Sequence, residues 1–347
     1  MSNTHLMKVN ARLRRAIACG RGILGALALA SCGGESRRAD SPKVTLQQEW
    51  IPFSGFAGEM EAASELAKSG LRFVILPSPD GKIDPLVEVA AGRAQFGVVG
   101  ADRLLEANAA GGRFVAVGVV NHVSPTVFLT RDSSRIQGPR DFVGRRVGIL
   151  VGTTTVSIFE LMLRRQKVDP SSVRAVEVPF DLALFLQGGY DVRPAFAYDE
   201  PVALDLAGVR YSTIRPEQFG VNFLGTVYFT TDSLIKARPD LVKQVVWALA
   251  TGWERAIANP EEAIRALKQQ FPEVDDQREL AGLRKGVDYF HGDSARVLSA
   301  RGSTWRGTYD GLLELGKIKP TDDVLARSVD SSFVASFHRS RSASLKQ

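Results

Sequence analysis

The sequence predicts an α/β fold of two lobes with a helical C-terminal region, and three observations support this prediction. From Lys43 onward, short runs rich in β-branched residues alternate with helical stretches, which is typical of doubly wound sheets with mostly parallel strands and covering helices. After Asp232 nearly every segment has a helical pattern. Roughly 300 residues follow Lys43, which is enough for two domains of ordinary size.

Most predicted strands are followed by a predicted helix. The strands are expected at 44–50, 71–76, 95–99, 114–121, 146–150, 173–178 and 193–198. The helices of this alternating region are expected at 58–68, 85–91, 102–109, 154–166, 181–186 and 201–206. The C-terminal region adds helices at 239–258, 260–270, 276–290 and 301–315.

Two further apolar runs, 126–130 and 226–230, lie about 100 residues apart. We interpret them as paired crossover strands that join two lobes, with a ligand cleft between the lobes. The alternative is that both are ordinary core strands of one sheet. The crossover interpretation divides the chain into the following parts: lobe 1 (43–130 plus 222–335), lobe 2 (131–221) and a frayed tail (336–347).

The first 32 residues have the pattern of a secretory signal, because five bases and no acid precede Cys32 and an apolar run (22–30) follows the bases. That run is about half of the roughly 20 residues needed to cross a bilayer. Leu29-Ala30-Ser31-Cys32 resembles a bacterial lipobox, which predicts export and lipidation of Cys32 at a bacterial membrane, facing the periplasm or the cell exterior. The alternative is a plain cleaved signal with an incidental cysteine. The polar segment 33–42 is predicted to be a tether.

The composition beyond the signal weighs against several classes of function. Removal of the five bases before Cys32 leaves 39 Lys and Arg against 38 Asp and Glu, so the sequence does not predict a nucleic-acid surface. The two cysteines, Cys19 and Cys32, belong to the signal, and the histidines lack metal-ligand spacing. No nucleophile elbow or phosphate loop occurs. We therefore expect no enzyme activity, no cofactor and no metal.

Several motifs resemble a known family. The opening segments 47–52 (Gln-Gln-Glu-Trp-Ile-Pro) and 56–59 (Phe-Ala-Gly-Glu) are similar to the start of the thiamine-pyrimidine-precursor binding family, which includes related binding proteins for sulfonates, nitrate and riboflavin. Three later stretches agree in order and spacing: 91–102, 144–148 with 152–154, and 197–201. The resemblance implies a type II periplasmic binding fold, a small-molecule ligand, an ABC permease as partner and a monomeric chain. Phe53 and Phe56 depart from the usual opening, which often has a polar residue and a histidine there.

The candidate ligand contacts follow the predicted strands, because ligands of α/β sheets bind beyond the carboxyl ends of strands. Each candidate also has a structural alternative: the aromatic residues can pack in the core, Asp102 can cap a helix, and the threonines can form an N-cap and turn. Asn121 is a weaker candidate at the end of another strand. The full set is Trp50, Phe53, Phe56, Gly100, Ala101, Asp102, Asn121, Gly152, Thr153, Thr154, Thr155, Tyr198 and Glu200.

The chemistry of these candidates favours a thiamine-type aminopyrimidine. Trp50 and its neighbouring aromatic residues offer stacking surfaces, and Asp102, Asp199 and Glu200 offer acceptors for ring amines. Riboflavin remains an alternative, and so does a sulfonate or nitrate, although no base lies inside these motifs. Two alternatives belong to other classes of protein: a lipoprotein sensor for a membrane signalling protein, and the fungal pyrimidine synthase of the same fold, which needs a cysteine-rich iron motif and a histidine near the first loop.

Overall fold

The computed structural model describes residues 41–179, 182–292, 294, 296–320 and 324–344. The predicted signal peptide (1–32), its lipidation site Cys32 and the tether up to residue 40 lie outside these residues. Among the residues described, no helix combines the length and the apolar character that a bilayer crossing requires.

The first sheet contains five strands in the order β2-β1-β3-β10-β4. Strand β1 pairs in parallel with β2 and β3, whereas β10 is antiparallel to both of its neighbours. Every residue of β3 and β4 is buried, which explains their nearly continuous apolar sequences. The strands are β1 (Lys43–Gln47), β2 (Arg72–Leu76), β3 (Phe96–Gly100), β4 (Phe114–Val119) and β10 (Thr226–Thr231).

The second sheet repeats this plan in the order β7-β6-β8-β5-β9. Its antiparallel strand is β5, which again occupies the fourth position and pairs with β8 and β9. Strand β9 is absent from the sequence prediction because it is a short edge strand of mixed polarity, without an alternating pattern. The strands are β5 (Thr126–Arg131), β6 (Arg146–Ile149), β7 (Arg174–Glu177), β8 (Val192–Phe196) and β9 (Tyr211–Ile214).

The crossover prediction is wrong in one respect, because β5 and β10 belong to different sheets and do not pair with each other. The segments just before these strands run side by side instead. The Gly225 amide donates to the Asn121 carbonyl at 3.0 Å, and the Ser124 amide donates to the Phe223 carbonyl at 2.7 Å. The first crossover therefore precedes Thr126, and residues 126–130, expected in lobe 1, belong to the second sheet. An apolar run predicts a buried strand, but distant hydrogen bonds decide which sheet contains it.

The helices follow the predicted order, and the first six alternate with the strands: α1 (Ala57–Lys68), α2 (Pro85–Ala90), α3 (Ala101–Ala109), α4 (Thr154–Arg165), α5 (Ala183–Leu186) and α6 (Glu200–Leu206). The predicted bounds of three C-terminal helices are confirmed, since proline or an aspartate cap starts each of them. The C-terminal helices are α7 (Asp232–Ala237), α8 (Pro239–Ala258), α9 (Pro260–Gln270), α10 (Asp276–Phe290), α11 (Gly302–Leu315), α12 (Val324–Arg327) and α13 (Ser332–Ser344).

The predicted frayed tail from residue 336 is also wrong, since helix α13 continues to Ser344. Val334 and Phe337 are buried in the same hydrophobic core as Val245 and Leu249 of α8, and the Trp247 indole donates to the Ser336 hydroxyl at 3.1 Å. The apolar side chains of α13 lie one helical turn apart, but the surrounding serines and bases obscure this pattern in the sequence.

Helices α1 and α8 pack closely because each has a glycine at the contact, Gly58 and Gly252. A Cβ atom at Gly252 of α8 would lie 2.0 Å from the Gly58 carbonyl oxygen of α1, and one at Gly58 would lie 2.3 Å from the Trp253 ring. Only a residue without a side chain allows this approach. The contact fixes the start of α1, and with it the loop that follows β1.

We expect Gly252→Ala to destabilise the protein by about 1–3 kcal/mol, because the added methyl group overlaps backbone atoms of α1. Helix propensity alone predicts the opposite sign, since alanine stabilises a helix interior by about 1 kcal/mol relative to glycine. Urea unfolding measures the difference. Gly302→Ala is the matched control, because no atom lies within 4 Å of the Cβ position there. An unchanged or increased stability of Gly252→Ala would contradict the close-packing account.

Candidate functional site

A cavity of about 740 Å³ lies between the two sheets, where the carboxyl ends of β1, β6 and β8 face each other. The loops after these strands line it, together with the crossover residues Ser124, Pro125 and Gly225. A cavity of this volume matches the range typical of small-molecule sites. The position agrees with the general rule that ligands bind beyond the carboxyl ends of strands in α/β sheets.

Four aromatic rings line the cavity in two stacked pairs. The Trp50 ring lies nearly parallel to that of Phe196, with 6.3 Å between ring centroids and 11° between planes. The Phe53 ring lies parallel to that of Tyr198, with 6.1 Å between centroids and 8° between planes. Each pair combines a ring from the loop after β1 with a ring from the end of β8. The aromatic wall therefore contains side chains from both sheets.

Phe56 does not line this cavity, in contrast to the prediction. Its side chain is 1% exposed and packs edge-on against Phe53 and Phe271. A 3₁₀ turn (Ser54–Phe56) leads into α1 and directs the ring into the core beneath the C-terminal helices. The structural alternative for this residue is the correct one.

Gly100, Ala101 and Asp102 also lie behind the cavity wall rather than on it. The Thr154 hydroxyl donates to Asp102 Oδ1 at 2.6 Å, so Asp102 joins α3 to α4 across the two halves of the fold. Asp102 does not cap α3 through its side chain. A Cβ atom at Gly100 would lie 2.0 Å from the Thr154 hydroxyl oxygen, so glycine is needed there for this contact.

Asn121 is fully buried and does not line the cavity either. Its amide nitrogen donates to the Tyr198 hydroxyl at 3.4 Å, and its amide oxygen accepts from the Thr226 hydroxyl at 2.8 Å. Asn121 therefore connects the first crossover to the second crossover and to the end of β8. Asn121 thus stabilises the connection between the two sheets.

The four residues Gly152, Thr153, Thr154 and Thr155 all line the cavity, as the sequence predicts. Gly152 has a positive φ of 79°, which turns the chain from β6 into α4. The Thr153 hydroxyl donates to the Leu150 carbonyl at 2.8 Å and lies 2.7 Å from the Thr155 hydroxyl. The threonine hydroxyls therefore form hydrogen bonds with one another, with the Leu150 carbonyl and with Asp102. The turn itself is then the surface that faces a ligand.

Tyr198 and Glu200 line the cavity at the end of β8, as predicted. The Phe196 amide donates to Glu200 Oε2 at 2.8 Å, and the Arg193 guanidinium lies 3.4 Å from Oε1. Burial raises the pKa of Glu200 to about 7, and the Asp199 charge adds to this effect. Burial also raises the pKa of Asp199, although its ion pair with Arg278 of α10 opposes the change.

The cavity contains polar residues that the sequence analysis did not single out, chiefly Glu49, Glu59, Asp84 and Arg103. Burial raises the pKa of Glu49 to about 7, and Arg103, 3.7 Å away, partly opposes this rise. Arg103 also forms an ion pair with Asp84 at 2.7 Å. Glu49 and Glu59 lie inside the opening motif, in the bend after β1 and in the first turn of α1, but the sequence does not show that both side chains face the cavity.

Carboxylates outnumber bases around the cavity. Among the described lining residues, six are acidic and two are basic. The acids are Glu49, Glu59, Asp84, Glu177, Asp199 and Glu200, and the bases are Lys82 and Arg103. Such a site favours hydrogen-bond donors and positive charge over a bare anion.

Residues 66–263, more than half of the chain, match the model of the family described as NMT1/THI5 like. The chain belongs to this family. A curated relative is the 4-amino-5-hydroxymethyl-2-methylpyrimidine phosphate synthase of Legionella pneumophila, which is 25% identical over 190 residues. That alignment covers 54% of this chain and 60% of the synthase, so the match spans less than two thirds of the relative's length.

Solved structures confirm the fold. The alkanesulfonate-binding protein SsuA of Xanthomonas axonopodis, bound to MOPS, is 17% identical with a TM-score of 0.64, over 84% of this chain and 98% of that protein. The periplasmic aliphatic sulphonate binding protein SsuA of Escherichia coli is 16% identical with the same score, over 83% and 92%. The desulfurization enzyme DszB is 15% identical with a TM-score of 0.59, over 86% and 99%. The chain therefore has the two-sheet periplasmic binding protein fold that the resemblance implied.

We expect Thr154→Val to lower the free energy of unfolding by about 1–3 kcal/mol, because it removes the donor to a buried Asp102 carboxylate while nearly conserving volume. Urea unfolding followed by tryptophan fluorescence measures the effect. Thr213→Val on the edge strand β9 is the control and should change stability by less than about 0.5 kcal/mol. Equal stabilities of the two variants would show that the contact between α3 and α4 does not hold the two sheets together.

Proposed function

We propose that this chain is the extracytoplasmic solute-binding component of an ABC importer and that its cargo is a flat, amine-bearing heterocycle, most specifically a thiamine-type aminopyrimidine. The observation that carries the proposal is the cavity between the sheets, which combines stacked aromatic rings with an excess of carboxylates. The fold supports the transport role, because structural relatives include sulfonate-binding proteins and a ligand-binding component of an ABC-type import system from Staphylococcus aureus.

The aromatic wall supports a planar ligand. A ring placed beside Trp50 gains about 0.5–1.5 kcal/mol from stacking in addition to the effect of burial, whereas the nearly buried Phe53 and Tyr198 stack on each other. The name of the Legionella relative points in the same direction, since that synthase is named for an aminopyrimidine product. Amino groups on such a ring have acceptors within the same cavity, namely Glu49, Asp199 and Glu200.

The charge balance argues against a sulfonate, the ligand class named in several structural relatives. The described lining residues include two bases, and one of them, Arg103, is already paired with Asp84 and Glu49. Desolvating an anion without a free cationic partner is unfavourable. Riboflavin is the nearest competing cargo, because the stacked rings suit a larger heterocycle as well.

An enzymatic role like that of the Legionella synthase receives less support from the residues of the first loop. Phe56 stands where the resemblance places a histidine, and its ring is packed in the core. A side chain in this position has no contact with the cavity and no group that can react. Binding without chemistry is therefore the function that these residues support best.

We expect an aminopyrimidine such as thiamine to raise the melting temperature by several degrees. A ligand that binds only the folded state at about 100-fold over its Kd stabilises that state by roughly 2.7 kcal/mol. Differential scanning fluorimetry with thiamine, riboflavin, taurine and nitrate compares the candidates directly. A shift with taurine or nitrate and none with either heterocycle would overturn the proposed cargo, whereas a shift with riboflavin alone would change the cargo and preserve the transport role.

The proposed location includes a lipid anchor at Cys32, next to a membrane permease. We expect the native protein to fractionate with membranes and to carry acyl chains on Cys32, because residues 29–32 resemble a lipobox. Cys32→Ser should release the protein or block its processing, as measured by fractionation and mass spectrometry. Ser31→Ala is the control and should keep the anchor, since a small residue remains before the cysteine. A wild-type protein that is soluble and unmodified in the periplasm would contradict the anchor.

A further inference from the structure

Glu59 is the most deeply buried acid of the cavity. It lies in the first turn of α1, its side chain is fully buried, and it nevertheless belongs to the cavity lining. Trp50 and Phe53 of the preceding loop line the same cavity. Burying a carboxyl group in this way costs free energy unless specific hydrogen-bond partners compensate for the lost water.

One oxygen of Glu59 has those partners. Oε1 accepts hydrogen bonds from the Gln48 amide and from the Tyr228 hydroxyl, the latter at 3.0 Å. The Trp253 indole donates to the Tyr228 hydroxyl oxygen at 2.9 Å and so fixes the direction of that hydroxyl group. Two donors occupy the acceptor sites of Oε1 and hold the carboxyl group in one orientation.

The other oxygen, Oε2, is buried and has no hydrogen-bond partner in the described structure. Leaving a buried carboxyl oxygen without a donor costs free energy, and such atoms in folded proteins need an explanation. Several described residues have a buried polar side-chain atom that lacks a hydrogen-bond partner. Glu59 is the one among them that also lines the cavity. The missing donor is therefore expected to come from the occupant of the cavity.

We propose that Glu59 selects the ligand by accepting a hydrogen bond at Oε2 from an N–H group of the bound molecule. Binding in this way would also release a proton wherever Glu59 is protonated in the empty site. This inference rests on the proposed function, since it assigns one residue of the same cavity. It narrows the ligand class to molecules that present an N–H donor at the wall formed by α1. Nitrate and sulfonates without an amino group have no such donor; they could pair only with the protonated Glu59, so their affinity would fall as the pH rises.

The proton release follows from the surroundings of Glu59. Burial raises the pKa of Glu59 to about 8, although the hydrogen bonds from Gln48 and Tyr228 oppose the rise. Tyr228 is the ionisable group that faces the Glu59 carboxyl. Helices α8 and α9 also pack against α1, but their charged residues Arg255 and Glu262 act on Glu61 instead. Near pH 7 the empty site therefore holds the neutral acid. The ligand N–H replaces this proton at Oε2, and the proton passes to solvent.

Because the ligand N–H group replaces a proton, the affinity for the ligand depends on pH, and the direction of the change can be stated. Binding requires the ionised form, which becomes more populated as the pH rises toward 8, so the affinity for an N–H donor should increase by up to about tenfold per pH unit. Glu49 and Glu200 have pKa values of about 7 and also contribute to the slope. The informative quantity is therefore the difference in slope between wild type and Glu59→Gln.

The test is calorimetric titration of the full chain with thiamine and with 4-amino-5-hydroxymethyl-2-methylpyrimidine at pH 6, 7 and 8. Glu59→Gln keeps an acceptor for Gln48 and Tyr228 but presents an amide that repels an N–H donor. Glu61→Gln is the matched control on the same helix, outside the cavity lining. We expect Glu59→Gln to bind at least 30-fold more weakly, with a flatter pH profile and less proton release when buffers of different ionisation enthalpy are compared. The control should match the wild type.

The outcomes separate this inference from the proposed function. Equal affinity and equal pH slope in Glu59→Gln and wild type would overturn the role of Glu59 and preserve the aminopyrimidine cargo. Binding of methanesulfonate or nitrate, which have no N–H group, in place of both probes would overturn both. If no probe binds, the cargo is wrong, and the Glu59 carboxyl is then followed by ¹³C NMR in the ligand-free chain. Titration near pH 8 would support the inference, and titration near pH 4.5 would overturn it.

Discussion

The crossing of two chain segments between the sheets is the constraint on which the rest of the structure depends. The segments pass so closely that a Cβ atom at Gly225 would lie 2.6 Å from the Asn121 Cβ, and backbone hydrogen bonds join them on both sides of this point. Asn121 adds side-chain bonds to Thr226 and Tyr198. Because the sheets are joined here, the carboxyl ends of β1, β6 and β8 meet at one cavity, and every feature of the site follows from that placement.

Three glutamates of the cavity hold their protons more tightly than a glutamate in water does. Burial raises the pKa of Glu49, Glu59 and Glu200 above the ordinary value of a glutamate, because a buried carboxylate loses the water that stabilises its charge. Specific hydrogen bonds stabilise buried carboxyl groups of this kind and fix their positions, as the contacts from Tyr228 and Gln48 do for Glu59. A donor-rich ligand relieves this cost, whereas an anion increases it.

The fold itself is compatible with several functions. Structures that share it include sulfonate-binding proteins and a desulfurization enzyme, all below 20% identity to this chain. Function in such a family depends on the side chains of the cavity rather than on the arrangement of the sheets. In this chain Phe56 is turned into the core and Asp102 joins α3 to α4, so two motif residues serve the architecture, while acids outside the predicted set line the cavity.

The sequence by itself determined the α/β class, the order of most elements and most of the loops that line the cavity, because these depend on local periodicity, caps and turn residues. Helices α8, α9 and α10 begin where proline or aspartate predicts, and Trp50, Thr154 and Tyr198 lie in the cavity as their positions after strands indicate. The tertiary structure decided which sheet contains β5, that α13 packs instead of fraying, and that Glu59 rather than Phe56 faces the cavity. These outcomes depend on hydrogen bonds and side-chain contacts between residues far apart in the chain, such as the 169 positions between Glu59 and Tyr228. Local sequence patterns contain no information about such distances.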